Sequence, residues 1–275
     1  MTMAMSRAFI KMHGLGNDFV IVDARETPFA PDPTEARIIA DRRQGVGCDQ
    51  LIILEPPRQA AADLTMRILN ADGGEAEACG NATRCVASLV MAERPGPVVI
   101  ETSAGLLAAE AAGDGLVSAD MGKVRSGWED IPLSEPQDTL SLDLSLGPLK
   151  NPVAVSIGNP HAVFFVPDCE AIDLALLGPQ LEHHPMFPER ANISVVTVTG
   201  EDRVRMRVWE RGGGITMACG SGACAVAAAA ARRGLTGRKV EVLMDGGPLQ
   251  IHWRDDDHVI MTGPVAISFT GTLAL

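Results

Sequence analysis

Basic residues are in short supply in this chain. Lysine and arginine together number 23 against 35 acidic residues, giving a formal net charge of −12, and no Lys/Arg-rich run occurs. A nucleic-acid backbone or an anionic membrane would be repelled, so both are excluded as natural partners. Long apolar runs are also missing. The longest, near Cys224 to Ala231, is far too short to span a bilayer, and the opening MTMAMSRAFIKMHG has no apolar core or small-residue cleavage site. A soluble, cytoplasmic protein is expected. The six cysteines (48, 79, 85, 169, 219, 224) are too few for a secreted disulfide framework, and no pair has CxxC spacing. The GxG-type loops at Gly14 to Gly16, Gly45 to Gly47 and Gly212 to Gly214 do not extend to GxGxxG or GxxxxGK[ST], so they read as turns and anion-holding backbone. What the chain does have is 46% hydrophobic and 21% charged residues over 275 positions, a composition for a globular protein of two domains or two lobes.

The chain is duplicated. Leu64 to Gly80 (LTMRILNADGGEAEACG) and Val204 to Gly220 (VRMRVWERGGGITMACG) share 7 of 17 positions without a gap, at an offset of 140. Composition alone would give about one. Gly16-Asn17 and Gly158-Asn159 recur at an offset of 142, as do Gly105 and Gly247. Each repeat reads as a strand (Leu64 to Leu69; Val204 to Trp209), a Gly-rich turn, Cys-Gly, then an Ala-rich helix, the second running from Gly220 to Arg233 with Gly234 as its stop. Further strands are predicted at Phe19 to Val22, Gln50 to Leu54, Val98 to Thr102, Val153 to Ile157, Ala162 to Val166, Ser194 to Thr199, Lys239 to Leu243 and Val259 to Met261. The fold class is α+β, with two pseudo-symmetric lobes, each a mostly antiparallel sheet around a helix. The Pro/Gly-bearing segment Met121 to Pro136 is the expected linker.

Cys79 and Cys219 each stand where a Gly-rich turn enters a helix. Such a position supplies unpaired N–H groups and the positive end of the helix dipole, which lower a thiol pKa and hold an anion such as a carboxylate. Two thiols brought to opposite faces of one stereocentre could invert it, one removing a proton and the other returning one. The repeats differ where Asn70 becomes Glu210, and where Asp18-Phe19 becomes Pro160-His161. Either added group could exchange a proton with a thiol, while the alternatives are an end-of-strand carboxylate and a packed histidine. Cys85 and Cys224 read as packing residues, and His13 and Asp18 as organisers of their loop.

The runs KMHGLGNDFVIVD (11–23), GVGCDQL (45–51), NADGGEAEACGNATRC (70–85), GNPHAVFFV (158–166), FPERANI (187–193) and ERGGGITMACGSGACA (210–225) closely resemble diaminopimelate epimerase. The resemblance implies two lobes, 1–124 and 125–264, each with a sheet wrapped around a central helix, and a terminal strand, 265–275, returning to the first. It further implies interconversion of LL- and meso-2,6-diaminopimelate on the way to lysine and peptidoglycan precursors, without pyridoxal, other cofactor or metal. Cys79 and Cys219 match the acid/base pair, and His161 and Glu210 match residues that tune or relay protons. Asn17, Gln50, Asn70, Asn159, Asn192 and Arg211 fall on substrate-contacting positions. The turns Gly80-Asn81 and Gly220-Ser221 match those that grip the reacting carboxylate. Two departures stand out: Ile215 replaces a Glu carried by many members, and Phe269 lies near where some use Tyr in a homodimer contact.

Two other readings compete. A related cofactor-independent racemase of proline, hydroxyproline or histidine would share the thiol pair, but the asparagine set and Arg211 suit a substrate with two amino-acid heads. A non-catalytic Cys/His metal-binding protein would need four converging ligands, for which the spacing offers no cluster.

Overall fold

The computed structural model describes residues 6–274. Two compact units divide the chain, one formed by residues up to Ala119 together with those from Gly263 on, the other by Asp120–Thr262. The first contains β1 (Ser6–Gly14), β2 (Asn17–Asp23), α1 (Pro33–Ala40), β3 (Gln50–Glu55), β4 (Leu64–Asn70), β5 (Glu75–Ala76), α2 (Gly80–Glu93), β6 (Val98–Thr102), β7 (Gly105–Gly113) and β8 (Leu116–Lys123), within which it ends. The second contains the small hairpin β9 (Ser145–Leu146) and β10 (Leu149–Lys150), then β11 (Val153–Ser156), β12 (Pro160–Phe165), α3 (Leu174–Glu182), β13 (Asn192–Gly200), β14 (Arg203–Glu210), β15 (Gly214–Ile215), α4 (Gly220–Arg232), β16 (Lys239–Met244), β17 (Gly247–Trp253) and β18 (His258–Pro264). The last strand, β19 (Ala266–Ala274), pairs antiparallel with β1. The class is α+β, as the sequence predicts.

Each unit repeats one pairing scheme. In the first, β1/β2 is antiparallel, β2/β3 parallel, β3/β4 antiparallel, β4/β6 parallel and β6/β7 antiparallel. The second runs identically through β11, β12, β13, β14, β16 and β17. Parallel neighbours cannot be joined by a tight turn, and each parallel pair is bridged by one of the four helices. Register confirms the duplication: Phe19 lies opposite Gln50 as His161 lies opposite Asn192, and Thr102 meets Gly105 as Met244 meets Gly247. Gly105 (φ 123°) and Gly247 (φ 130°) turn these hairpins in a region closed to residues with a side chain.

The helices at the centre are α2 and α4. Residues Ala223 to Ala230 of α4 are all 0–1% exposed, and the helix packs on β11 to β14, β16 and β17. A helix apolar on every face belongs in a core, and only small side chains let six strands approach it. Its end is a Schellman turn: Gly234 (φ 66°) donates to Ala231, and Leu235 to Ala230. The helix α2 packs on β1, β6 and β7 and buries one charged side chain completely, Arg84.

Several elements escape the sequence reading. β7 (GLLAAEAAG) is built of helix-favouring residues, and pairing with β6 and β8 overrides them. α1 carries a capping box, Asp32 with Glu35, ahead of only eight residues. Replacing Ala227 with Leu inserts three carbons where no space exists. The expected cost is about 1–3 kcal/mol, read as a lower urea midpoint with an unchanged slope.

Candidate active site

Cys79 and Cys219 are the N-cap residues of α2 and α4, both with extended backbone (φ −148°, ψ 109° and φ −121°, ψ 107°). The carbonyl of Cys79 accepts from Thr83, and that of Cys219 from Ala223, each at 2.9 Å, which starts the two helices alike. Neither helix has an oxygen-bearing cap and neither has an acidic residue in its first turn. Their leading N–H groups and positive dipole ends are therefore available to an anion.

In the first unit, hydrogen bonds tie the predicted residues together. Asn17 Oδ1 accepts from Cys79 Sγ at 3.7 Å and from Asn81 Nδ2 at 3.2 Å, while Asn17 Nδ2 donates to Asp49 at 2.9 Å. Asn81 Oδ1 in turn accepts from Arg84 at 2.8 Å. A cation at one end and a carboxylate at the other fix both amide orientations, so Asn17 turns its carbonyl oxygen to the sulfur. Gln50 donates to Asn70 at 2.9 Å across the β3/β4 pair, leaving Gln50 Oε1 buried with no partner among the described residues. Asp18 does organise its loop, bonding Lys11 at 2.5 Å and Arg42 at 2.7 Å. Burial alone would raise its pKa, but the two cations hold it well below the carboxylate range.

The second unit assembles the corresponding set. Asn159 lies 3.4 Å from the Ser221 hydroxyl and accepts from His161 Nε2 at 3.0 Å. With Nε2 as donor, Nδ1 carries the lone pair, and it is buried without a partner. Complete burial, aided by the positive charge of Arg211, drives the His161 pKa down to about 3. Asn192, 3% exposed, donates to the Pro160 carbonyl at 3.0 Å and accepts from Arg211 N–H at 2.9 Å, so it fixes the turn rather than merely lining it. Glu210 accepts from the Thr216 hydroxyl. Cys219 departs from the sequence expectation of a lowered pKa. Burial first, and then the Glu210 carboxylate, push its thiol well above the usual range, outweighing the Gly222 N–H and the Ser221 hydroxyl that favour the thiolate. Cys219 rests as the thiol.

Other cysteines do not take part. Cys85 and Cys224 are fully buried in their helices, and burial raises the Cys85 thiol to about 12. Among the described residues no three of His, Cys, Asp and Glu converge as metal ligands, and no helix is long and apolar enough to cross a membrane. The sequence reading missed Asp49, Arg84, Thr216 and Glu182, which hold the named residues in place. Arg84 had a visible signal, the one basic residue of a helix that carries small and apolar residues on either side of it.

The neutral His161 leaves a mark on stability. Below its unfolded pKa of about 6.5 the unfolded chain takes up a proton that the folded protein refuses until about pH 3. Stability is therefore lost as pH falls through that window. In His161→Gln this part of the loss disappears, so the gap between variant and wild-type urea midpoints narrows from pH 7.5 to pH 4. Parallel curves would contradict the buried neutral imidazole.

A family model described as diaminopimelate epimerase matches residues 9–126 and 153–268. The chain is 60% identical over 272 residues to diaminopimelate epimerase from Rhodospirillum centenum, covering 98% of this chain and 93% of that one. It is 58% identical to diaminopimelate epimerase from Acidiphilium cryptum, covering 98% of each. Among solved structures, a hydroxyproline epimerase from Agrobacterium vitis superposes with a TM-score of 0.71 at 16% identity, over 98% of this chain and 91% of that one. A phenazine biosynthesis protein of the PhzF family from Bacillus anthracis superposes with a TM-score of 0.71 at 15% identity, over 98% and 100%. These distant structures share the fold. The length and level of the sequence identity place this chain in the diaminopimelate epimerase family.

Proposed function

We propose that this protein interconverts LL- and meso-2,6-diaminopimelate by two-base proton transfer at one α-carbon, a step in making lysine and peptidoglycan precursors. The observation that carries the reading is the repeated thiol N-cap: each unit places one cysteine at the start of a helix whose leading N–H groups have no capping side chain. In this reading the turns Gly80-Asn81 and Gly220-Ser221 are the ones that bind the reacting carboxylate. One cysteine, as thiolate, takes the α-proton. The other, as thiol, gives its proton to the opposite face of the carbanion, and the configuration inverts with no net change in protonation of the pair.

His161 and Glu210 support this exchange. Glu210 raises the Cys219 pKa, so the thiolate left after donation is a strong base, and His161, held neutral by burial, tunes the site by fixing Asn159 through its Nε2–H. Gln50 Oε1 is an unspent acceptor suited to an ammonium group. Asn17, Asn70, Asn159, Asn192 and Arg211 complete recognition of the two amino-acid heads, with Arg211 on the distal carboxylate. The reading extends to a cytoplasmic homodimer joined through β19, supported by Ile267 (58% exposed) and Phe269 (49%) on that strand.

Incubation of the reduced protein with LL-diaminopimelate in D₂O should give meso product carrying one solvent deuterium. Cys79→Ala and Cys219→Ala should each lose epimerisation by at least about 10²–10⁴-fold. Near wild-type conversion by either variant would refute the thiol pair. Phe269→Asp should shift the protein to monomer in sedimentation, and an unchanged species would rule out β19 as the contact.

A further inference from the structure

The second unit contains a carboxylate in a place that physical chemistry disfavours twice. Glu182 is the last residue of α3 and is 3% exposed. A negative charge at a helix C-terminus opposes the dipole, and a buried charge forfeits several kcal/mol of hydration. Among the described residues no side-chain cation lies within hydrogen-bond range of it. The Arg190 guanidinium stands at 3.8 Å, and the short contacts are to two neutral donors. These are the Trp209 indole N–H, 2.7 Å from Oε2, and the Gly212 backbone N–H, 2.9 Å from Oε1.

The two donors flank Glu210 and Arg211. One carboxylate thus spans the charged pair that stands where the first repeat has Asn70 and Ala71. The clamp is built into α3 at two points one turn apart. At Gly178 a Cβ would sit 2.6 Å from the Trp209 ring, so only glycine lets the indole lie against the helix, and Glu182, four residues on along the same face, takes its N–H. Glycine inside a helix is less favourable than alanine, so the ring's position comes at the expense of helix stability. Asn192 Oδ1 holds the Arg211 N–H from the other side. Successive amides, 211 and 212, are each gripped by a buried side chain, and the exposed Arg211 guanidinium rests on the Glu189 carbonyl at 3.2 Å.

We infer that Glu182 is a positioning residue: through Trp209 and Gly212 it fixes the turn that aims Arg211 at the distal carboxylate of the substrate, and so sets substrate specificity without touching it. The inference rests on the proposed function for the identity of that carboxylate. Glu182→Gln keeps the shape but loses one of two acceptors, so one of the two N–H groups that brace the turn, Trp209 Nε1–H or Gly212 N–H, is released. KM for LL-diaminopimelate should rise about tenfold with a much smaller change in kcat, because distal binding is shared by ground and transition states.

The test is a double-mutant cycle with Arg211→Ala, joined to hydrogen exchange of the 210–216 segment and thermal melts of each variant. If Glu182 works through Arg211, the KM effect of Glu182→Gln shrinks to near onefold in the Arg211→Ala background. Exchange in 210–216 rises in Glu182→Gln whether or not substrate is turned over. Trp209→Phe, which removes the indole donor and part of the ring but leaves both Glu182 oxygens, should move KM and exchange in the same direction by less, and serves if Glu182→Gln melts below assay temperature. A KM effect undiminished in the Arg211→Ala background overturns the inference, as does unchanged exchange. Wild-type protein that fails to epimerise diaminopimelate overturns the proposed function itself, and with it the distal carboxylate as the ligand of Arg211.

Discussion

A helix wrapped by strands on every side can satisfy its backbone along its length but not in its first turn. The leading N–H groups have no partner within the helix, and in α4 the residues from Ala223 to Ala230 are so closely packed that nothing else can come near its sides. Polar chemistry is thus forced to the N-terminal end. The sequence puts cysteine at that end, with glycine next to it and no acidic residue in the first turn. The same constraint acts on α2, where Cys79 occupies the corresponding place. Core packing, turn composition and site chemistry are consequences of one arrangement, used twice.

Duplication creates equivalence, and an epimerase has to break it. Three of the divergences change the polar groups placed near the thiols: Asn70 against Glu210, Phe19 against His161, Arg84 against Cys224. In the first unit neutral amides surround the sulfur, their orientations fixed by Arg84 and Asp49. In the second, a carboxylate and a neutral imidazole take those places. The scaffold positions of these residues are conserved between the units to the register of the strand pairs, with Phe19 and His161 each opposite the first residue of the next strand. What changed was charge, not backbone.

Much of this was legible before the fold was described, because the repeat is read by identity rather than by propensity. Cys-Gly at a fixed offset, strands rich in β-branched residues and an Ala-rich helix with a Gly stop all leave local signals. The strand β7 leaves none: GLLAAEAAG is set by its neighbours in the sheet, whereas β19 is expected from the resemblance and pairs with β1, more than 250 residues away. The Cys219 thiol shows a different limit. Its helix dipole is visible in the sequence and favours the thiolate, yet burial and Glu210 prevail, and burial is a property of the packed molecule. Glu182 belongs with these cases, since nothing in LALLGPQLE separates a buried carboxylate from a solvated one.

The raised Cys219 pKa is consistent with the chemistry rather than an obstacle to it. An α-proton of an amino acid is far less acidic than a thiol, so the abstracting group benefits from every increment of basicity. Lowering a thiol pKa, as in a nucleophilic cysteine, would fill the thiolate state at the expense of base strength. A carboxylate beside one sulfur does the reverse, and in the proposed reaction it would keep Cys219 protonated until a carbanion needs its proton. Once that proton leaves, thiolate and Glu210 repel each other, which makes the return transfer from the other isomer favourable. Placing the carboxylate in one repeat and an amide at the equivalent position in the other also sets which thiol holds its proton more tightly. Two-base inversion needs one acid and one base at a time, and a pair of identical thiols offers no preference between them.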